Sequence, residues 1–345
     1  MFSREQYDAM RTGAGLLERR DRGRLRVTGA DRRTYLQGLL TNDIAALAPG
    51  TGCYAAFLTP QGRMIADMRV LDLGDAILLD LPGGVTSAVH DRLSQFVITE
   101  DVEVADVTPA LAHFGVYGPA AAGAISAALD RAGVASDTSS AGGQLAGLEP
   151  FASLARHAAG APVTVAGSDE FGVRGFDLFV PVEHAASLAA SLRGAGAVDV
   201  DPDAAEVHRV EAGRPAFGAD MDEDTIPLEA GIEQRAISFT KGCYVGQEII
   251  IRVLHRGHGR VARRLMGLIL RGADGAARGD RVRAADRDVG VVTSAVWSPA
   301  LERPIALAYV HRDFAEPGTA VSVLHDGRTL DAAVAPLPFI QPAAR

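Results

Sequence analysis

The chain has 345 residues, 48% hydrophobic and 22% charged, with 34 basic against 43 acidic side chains for a formal net charge of −9. That is enough apolar material for two or three domains with their own cores, and it excludes a wholly disordered chain or a coiled coil. The acidic balance argues against direct nucleic-acid binding, which needs a basic surface. Two distant cysteines, Cys53 and Cys243, can build neither a disulfide scaffold nor a complete structural zinc site, so no metal is expected. The opening MFSREQYDAMR is charged and lacks the apolar core of a secretory signal. No apolar run reaches the roughly 18 residues of a spanning helix. A cytoplasmic protein with reduced thiols and no membrane contact is therefore expected.

In chain order, Arg4–Arg20 reads as a helix, Leu25–Val27 as a strand and Asp31–Leu40 as a helix with Tyr35, Leu36, Leu39 and Leu40 on one face. Tyr54–Leu58 and Met64–Leu73 read as strands joined by the turn signal Thr59-Pro60-Gln61-Gly62. Ala76–Leu81 is a strand stopped by Pro82, Val85–Val97 an amphipathic helix, and Val102–Val107 and Leu111–Tyr117 strands. Pro119–Asp130 is an Ala-rich helix. Residues 132–160, rich in Ala, Gly and Ser, read as an irregular connection with room for one short strand. Phe176–Val180 is a strand, Glu183–Leu192 a helix and Ala204–Ala212 a helix ending at Gly213. Two runs of strands and helices suggest paired α+β subdomains, with no repeat of fixed period in the sequence. Six short strand candidates then follow between Val261 and Val334 with no long helix among them, the pattern of a small antiparallel barrel or sandwich. The domains are expected at 1–257 and 258–345, divided at Gly257-His258-Gly259.

Three features carry candidate chemistry. The first is Lys241-Gly242-Cys243-Tyr244-Val245-Gly246-Gln247-Glu248. A thiol bracketed by glycines, with a cation two residues before it, becomes a better thiolate if a helix starts near Val245. The competing reading is a small buried hydrophobe, and the β-branched run Ile249-Ile250-Ile251 favours a strand over that helix. Arg252, His255, Arg256, His258 and Arg260 follow as a local basic patch. The second feature is Arg209-Val210-Glu211-Ala212-Gly213, where a carboxylate on a buried helix can meet an amidine-like edge such as a pterin through two parallel hydrogen bonds. An ordinary ion pair with a neighbouring arginine is the alternative. The third is Tyr54 with Asp67, thirteen residues apart across the expected hairpin. An aspartate in an apolar strand either points to solvent or is a buried, perturbed carboxylate in a pocket.

The run KGCYVGQE resembles the defining motif of the YgfZ family, GcvT-like folate-binding proteins linked to iron–sulfur cluster assembly and repair. Tyr35 to Ile44 (YLQGLLTNDI), Arg209 to Gly213, Gly290 to Ala295 and Ile305 to Val310 are similar to further segments of that family and of glycine-cleavage T proteins. The resemblance implies an α+β fold of three lobes in a ring: two α+β subdomains and a C-terminal antiparallel β-barrel. It implies tetrahydrofolate, or a one-carbon derivative, in the central opening, with Glu211 at the pterin edge and Tyr54 in the wall. It also implies a helix after Cys243. Cys243 would act on the rim with Lys241 tuning the thiol, Gln247 and Glu248 fixing the loop, and Gly242, Tyr244 and Gly246 supporting the motif. Iron–sulfur proteins or their assembly machinery would be the partners. T proteins share the tyrosine–aspartate spacing of Tyr54 and Asp67, but tend to carry a second aspartate where this chain has Ala66, and lack the cysteine motif. Asp67 therefore keeps a folate-dependent aminomethyltransferase open as the alternative.

Overall fold

The computed structural model describes residues 2–131, 144–158, 160–255 and 260–341. Helix α1 (Arg4–Thr12) starts in a capping box in which the Ser3 hydroxyl accepts from the Gln6 amide and the Gln6 side chain accepts from the Ser3 amide. It stops well short of Arg20. A Cβ on Gly15 would lie 2.6 Å from the Met10 side chain and 2.8 Å from Val200, and Gly15–Glu18 instead becomes strand β1. β2 (Arg22–Thr28), α2 (Arg32–Leu39), β3 (Gly52–Leu58), β4 (Met64–Asp72), β5 (Ile77–Pro82), α3 (Thr86–Gln95) and β6 (Glu103–Asp106) follow close to expectation. These strands form a sheet in the order β3-β4-β5-β2-β6. Leu36, Leu40, Val89 and Leu93 of α2 and α3 and the α2–β3 connection pack on its outer face against Phe57, Met68, Val70 and Leu79.

The next unit repeats that plan: β7 (Leu111–Tyr117), α4 (Ala121–Arg131), β8 (Ser153–Ala158), β9 (Ala161–Ser168), β10 (Gly175–Pro181), α5 (Ala185–Gly194) and β11 (Val198–Asp199). Its sheet runs β8-β9-β10-β7-β1-β11, the same order with β1 inserted. Pro82 and Pro181 each end a strand and lead into a short 3-10 turn. The repeat is thus topological, with the two halves too divergent in sequence for a fixed period. β9 went unread because its small residues blend into the preceding stretch, of which residues 132–143 lie outside the described ones.

The inner faces of the two sheets meet, with Leu71 and Leu78 against Ala166 and Phe179. Helix α6 (Pro202–Glu211) leads to two single-turn helices, α7 (Pro227–Ala230) and α8 (Glu233–Ala236), and then to α9 (Gln247–His255). The expected boundary at 257–259 falls outside the described residues. Strands β12 (Arg263–Leu270), β13 (Arg281–Ala284), β14 (Arg287–Ser298), β15 (Arg303–His311), β16 (Ala320–His325) and β17 (Arg328–Ala335) close into an antiparallel barrel, β12-β15-β14-β13-β16-β17. Val210 of α6 packs on the barrel exterior against Leu265, Ile305, Leu307 and Tyr309. The barrel completes the α+β architecture of two mixed sheets and a closed six-stranded unit. Among the described residues no helix is long and apolar enough to cross a membrane.

Candidate functional site

The β3–β4 hairpin turns at Thr59–Arg63, where Gly62 takes φ +73°, favoured by glycine. Its register pairs Ala56 with Asp67 and Tyr54 with Arg69. The thirteen-residue spacing therefore makes Tyr54 and Asp67 diagonal neighbours on one face, the face turned away from α2 and α3. The Tyr54 hydroxyl donates to Asp67 Oδ2 at 2.6 Å. Asp67 Oδ1 is buried and has no hydrogen-bond partner among the described residues. With 7% of its surface exposed, Asp67 has its carboxyl pushed above the ordinary carboxylate range by burial, which outweighs the opposing pull of Arg22 and of the Tyr54 hydrogen bond.

Both side chains line a cavity of about 490 Å³, together with Arg22, Arg69, Phe151, Asp169, Glu170, Phe171, Arg209, Arg214, Phe217 and Arg235. That volume is in the range of small-molecule sites. Beneath it, the two sheets are joined by a buried ionic network. Arg69 Nε bonds Asp80 at 3.0 Å, Nη2 bonds Glu170 at 2.7 Å and Nη1 bonds Asp177. Arg22 bonds Asp80 at 3.1 Å, Arg19 bonds Glu170 at 2.6 Å, and His113 and Tyr117 bond Asp177 at 3.0 and 2.8 Å. Burial opposes ionisation of Asp80 and Asp177, but the facing arginines hold both carboxyls below the ordinary range. Glu18, Asp21, Asp169, Glu170 and Glu206 of the cavity are each paired with a guanidinium. Asp67 has only a phenol.

Glu211 does not join this cavity lining. Its Oε2 accepts from the Tyr7 hydroxyl at 2.8 Å and its Oε1 from the Ser298 hydroxyl, which joins α1 to the barrel. Among the described residues Glu211 forms no arginine pair, the alternative expected for it. Arg209, two residues earlier, bonds Asp220 at 2.6 Å and Ser294 at 2.8 Å. A bulge in β14 after Val292 lets the adjacent Thr293 and Ser294 both donate to Asp220. The Arg-x-Glu segment is thus a clamp between lobes.

The cysteine motif lies against the end of α2 and the tip of the hairpin. Lys241 Nζ donates to the carbonyls of Gln37, Leu40 and Asn42 at 2.6, 2.7 and 2.8 Å. It caps α2 rather than tuning the thiol, and burial lowers its pKa to about 8. Tyr244 is buried. Gly246 has φ +86°, and a Cβ there would lie 2.6 Å from the Thr59 carbonyl. Helix α9 starts at Gln247, past the expected Val245. Its β-branched run is helical because Ile250 enters the core beside Met64 and Tyr244, tertiary packing overriding strand propensity. Gln247 meets the motif through its backbone, donating to the Tyr244 carbonyl. Glu248 is exposed and pairs with Arg252, so it does not fix the loop. Gly242 has open space around it and Cys243 is exposed. Cys243 is neither a buried hydrophobe nor part of the cavity lining. Cys53 is half-buried, with its thiol pushed up to about 12 by burial.

Comparison with known proteins bears on this arrangement. The GCVT N-terminal domain model matches residues 2–241 and the glycine cleavage T-protein C-terminal barrel domain model matches residues 263–341. The chain belongs to the glycine-cleavage T-protein (GcvT) family. Similar members of this GcvT family include an aminomethyltransferase of Streptomyces coelicolor, 33% identical over 92% of this chain and 83% of that protein, and one of Cutibacterium acnes, 31% identical over 97% and 89%. The crystal structure of the glycine cleavage system aminomethyltransferase T from Bartonella henselae superimposes with a TM-score of 0.85 at 22% identity, covering 98% of this chain and 89% of that one, a likeness of fold. The YgfZ resemblance therefore stands at the level of this wider GcvT family, and the named relatives are aminomethyltransferases.

The sequence reading missed the cavity's arginines and their partners. The signal was available: Arg69 and Asp80 interrupt apolar strands as Asp67 does, and Arg22, Arg24 and Arg26 alternate along β2.

Proposed function

We propose that the chain binds a tetrahydrofolate, or one of its one-carbon derivatives, in the cavity between the sheets, and that it acts as a folate-dependent one-carbon transferase of the aminomethyltransferase type. The observation that carries this reading is Asp67, a side chain of the cavity lining whose buried Oδ1 has no hydrogen-bond partner among the described residues, in a cavity where Glu18, Asp21, Asp169, Glu170 and Glu206 each pair with a guanidinium. Such an oxygen suits the N–H of a bound reduced pterin and fits that group by chemistry. A reduced folate would supply the nucleophilic nitrogen that accepts the one-carbon unit. Asp67 then fixes that nitrogen and holds its proton, while Tyr54 holds the Asp67 carboxylate through Oδ2. Burial raises the pKa of Asp67 and so favours its holding a proton, the direction such a role needs. The aminomethyltransferase relatives, matched over most of their length, support the same reading.

The test supplies tetrahydrofolate and an aminomethyl-loaded carrier and follows methylene-tetrahydrofolate. Asp67→Asn is expected to lower turnover by about 10²–10⁴-fold. Absence of product in the wild-type protein across carriers would remove the transferase and leave the folate site standing.

A second reading has its own observation. Most of the KGCYVGQE side chains and turns have a structural task, whereas Cys243 is presented to solvent from an anchored loop. That favours a role of the thiol toward a partner, of the iron–sulfur assembly or repair kind implied by the motif. Cys243→Ala should then abolish support of iron–sulfur enzymes in cells while leaving folate affinity unchanged. Full support by that variant contradicts it.

A further inference from the structure

We propose that Arg214 and Arg235 form a seat for a ligand carboxylate on the cavity wall beside Asp67, a seat that Asp169 partly fills in the absence of ligand. The proposal takes the cavity as the ligand site, as in the reading above, and adds what chemistry the ligand must carry there. Three separate stretches converge on it. Arg214 follows α6, Asp169 lies in the β9–β10 loop, and Arg235 lies in α8. Arg214 Nη2 bonds Asp169 Oδ2 at 2.9 Å, and Arg235 Nη2 bonds Asp169 Oδ1, also at 2.9 Å. Two guanidinium groups thus share one carboxylate, which leaves an excess of one positive charge. Among the described residues neither arginine has a second carboxylate partner, in contrast to Arg19 and Arg69 in the cavity floor. All three side chains line the cavity and keep a quarter to a third of their surface exposed, so an incoming ligand can reach them.

The seat is next to the reactive pair. The Arg235 guanidinium carbon lies 5.2 Å from the centre of the Tyr54 ring, and Tyr54 holds Asp67. An N–H acceptor and a cationic excess therefore stand side by side. This complements a ligand that presents a nitrogen to one and a carboxylate to the other. A planar guanidinium receives a carboxylate through two parallel hydrogen bonds, and two of them around one anion leave donors to spare. The carboxylate has two chemical sources, the glutamyl end of a folate and a separate small amine-bearing acid.

Calorimetric titration separates them, using 6-methyltetrahydropterin, which has no carboxylate, tetrahydrofolate, and glycine or acetate. If the folate tail is the source, tetrahydrofolate binds the wild-type protein at least about tenfold tighter than the pterin, the size of one charge-assisted contact. The Arg214→Gln/Arg235→Gln double variant brings that ratio close to one with pterin affinity unchanged. If a small acid is the source, glycine or acetate binds the wild-type cavity and not the double variant, while the pterin and folate affinities stay alike. In both cases Asp169→Asn, which removes the resident competitor, strengthens carboxylate binding several-fold. A purely structural bridge predicts the reverse for Asp169→Asn. That reversal, or a tail preference equal in wild type and double variant with no binding of small carboxylates, overturns the proposal. If the pterin and folate fail to bind while small carboxylates bind with these responses, the folate reading falls and the seat stands.

Discussion

Asp67 concentrates the physical tension of the site in one side chain. Its folded-state pKa is raised by burial, so the proton it binds favours the folded state. The sign follows: its contribution to stability is complete below the ordinary carboxylate range near about 4 and is lost as pH rises through the raised value. Asp67→Asn removes that loss. The urea midpoint of the variant should therefore gain on the wild-type midpoint as pH is raised from acid to neutral, whereas a difference independent of pH contradicts the assignment. Lys241 obeys a different logic. Its ammonium satisfies three carbonyls at the end of α2, and Lys241→Met leaves them short of a donor. A loss of about 1–3 kcal/mol is expected, read by denaturation and by faster amide exchange at the α2 end. The Cys243 side chain is exposed with no structural task, so Cys243→Ala should change stability by less than about 0.5 kcal/mol. Spacing along the sequence exposed the Tyr54–Asp67 pair because one hairpin brings them together. It did not reveal what Lys241 and Glu211 bond to, since their partners are 199 to 204 residues away in Lys241's case and come from α1 and the barrel in Glu211's.

At the scale of elements, the inner faces of the two sheets meet over charge as well as hydrocarbon. Arg69 sits at the centre, bonded to Asp80 from its own sheet, Asp177 from the other and Glu170 from a loop. Arg69→Met leaves three acids without that cation, and removing one partner from a buried ion pair costs roughly 3–5 kcal/mol. The same acids are held below the ordinary range, burial being outweighed by the arginines. Their stabilisation is present at neutral pH and is lost as pH falls through those lowered values, so Arg69→Met should also unfold at higher pH during acid titration. An unchanged acid midpoint counts against the network. The hairpin tip is fixed by contact with Gly246, whose φ of +86° and 2.6 Å approach to the Thr59 carbonyl leave no place for a side chain. Gly246→Ala should cost at least about 1–3 kcal/mol. Strands with clear alternation and turn residues were legible at this scale. β1 and β9 were not, because β1 continues the apolar pattern of α1 and β9 is built from small residues after a low-complexity stretch.

For the whole molecule, the lobes form one unit because α6 is shared. Val210 packs on the barrel exterior, Arg209 reaches the bulge of β14, and Glu211 ties Tyr7 to Ser298. The barrel was legible in its six short strands, and the α+β character of the rest in its mixed periodicities. The duplicated plan was hidden, since the two halves share strand order but place charges such as Asp80 and Asp177 differently along it. The cavity arises where both halves and α6 meet, and no single segment encodes it. The proposed function of the molecule therefore turns on whether Asp67 meets a ligand there. Calorimetric titration with tetrahydrofolate is the direct measurement. The wild-type protein and Cys243→Ala should bind with equal affinity, and Asp67→Asn should bind about 10–100-fold more weakly, the value of a hydrogen bond to a charged group. Equal affinity in Asp67→Asn, or no binding by the wild-type protein, contradicts it.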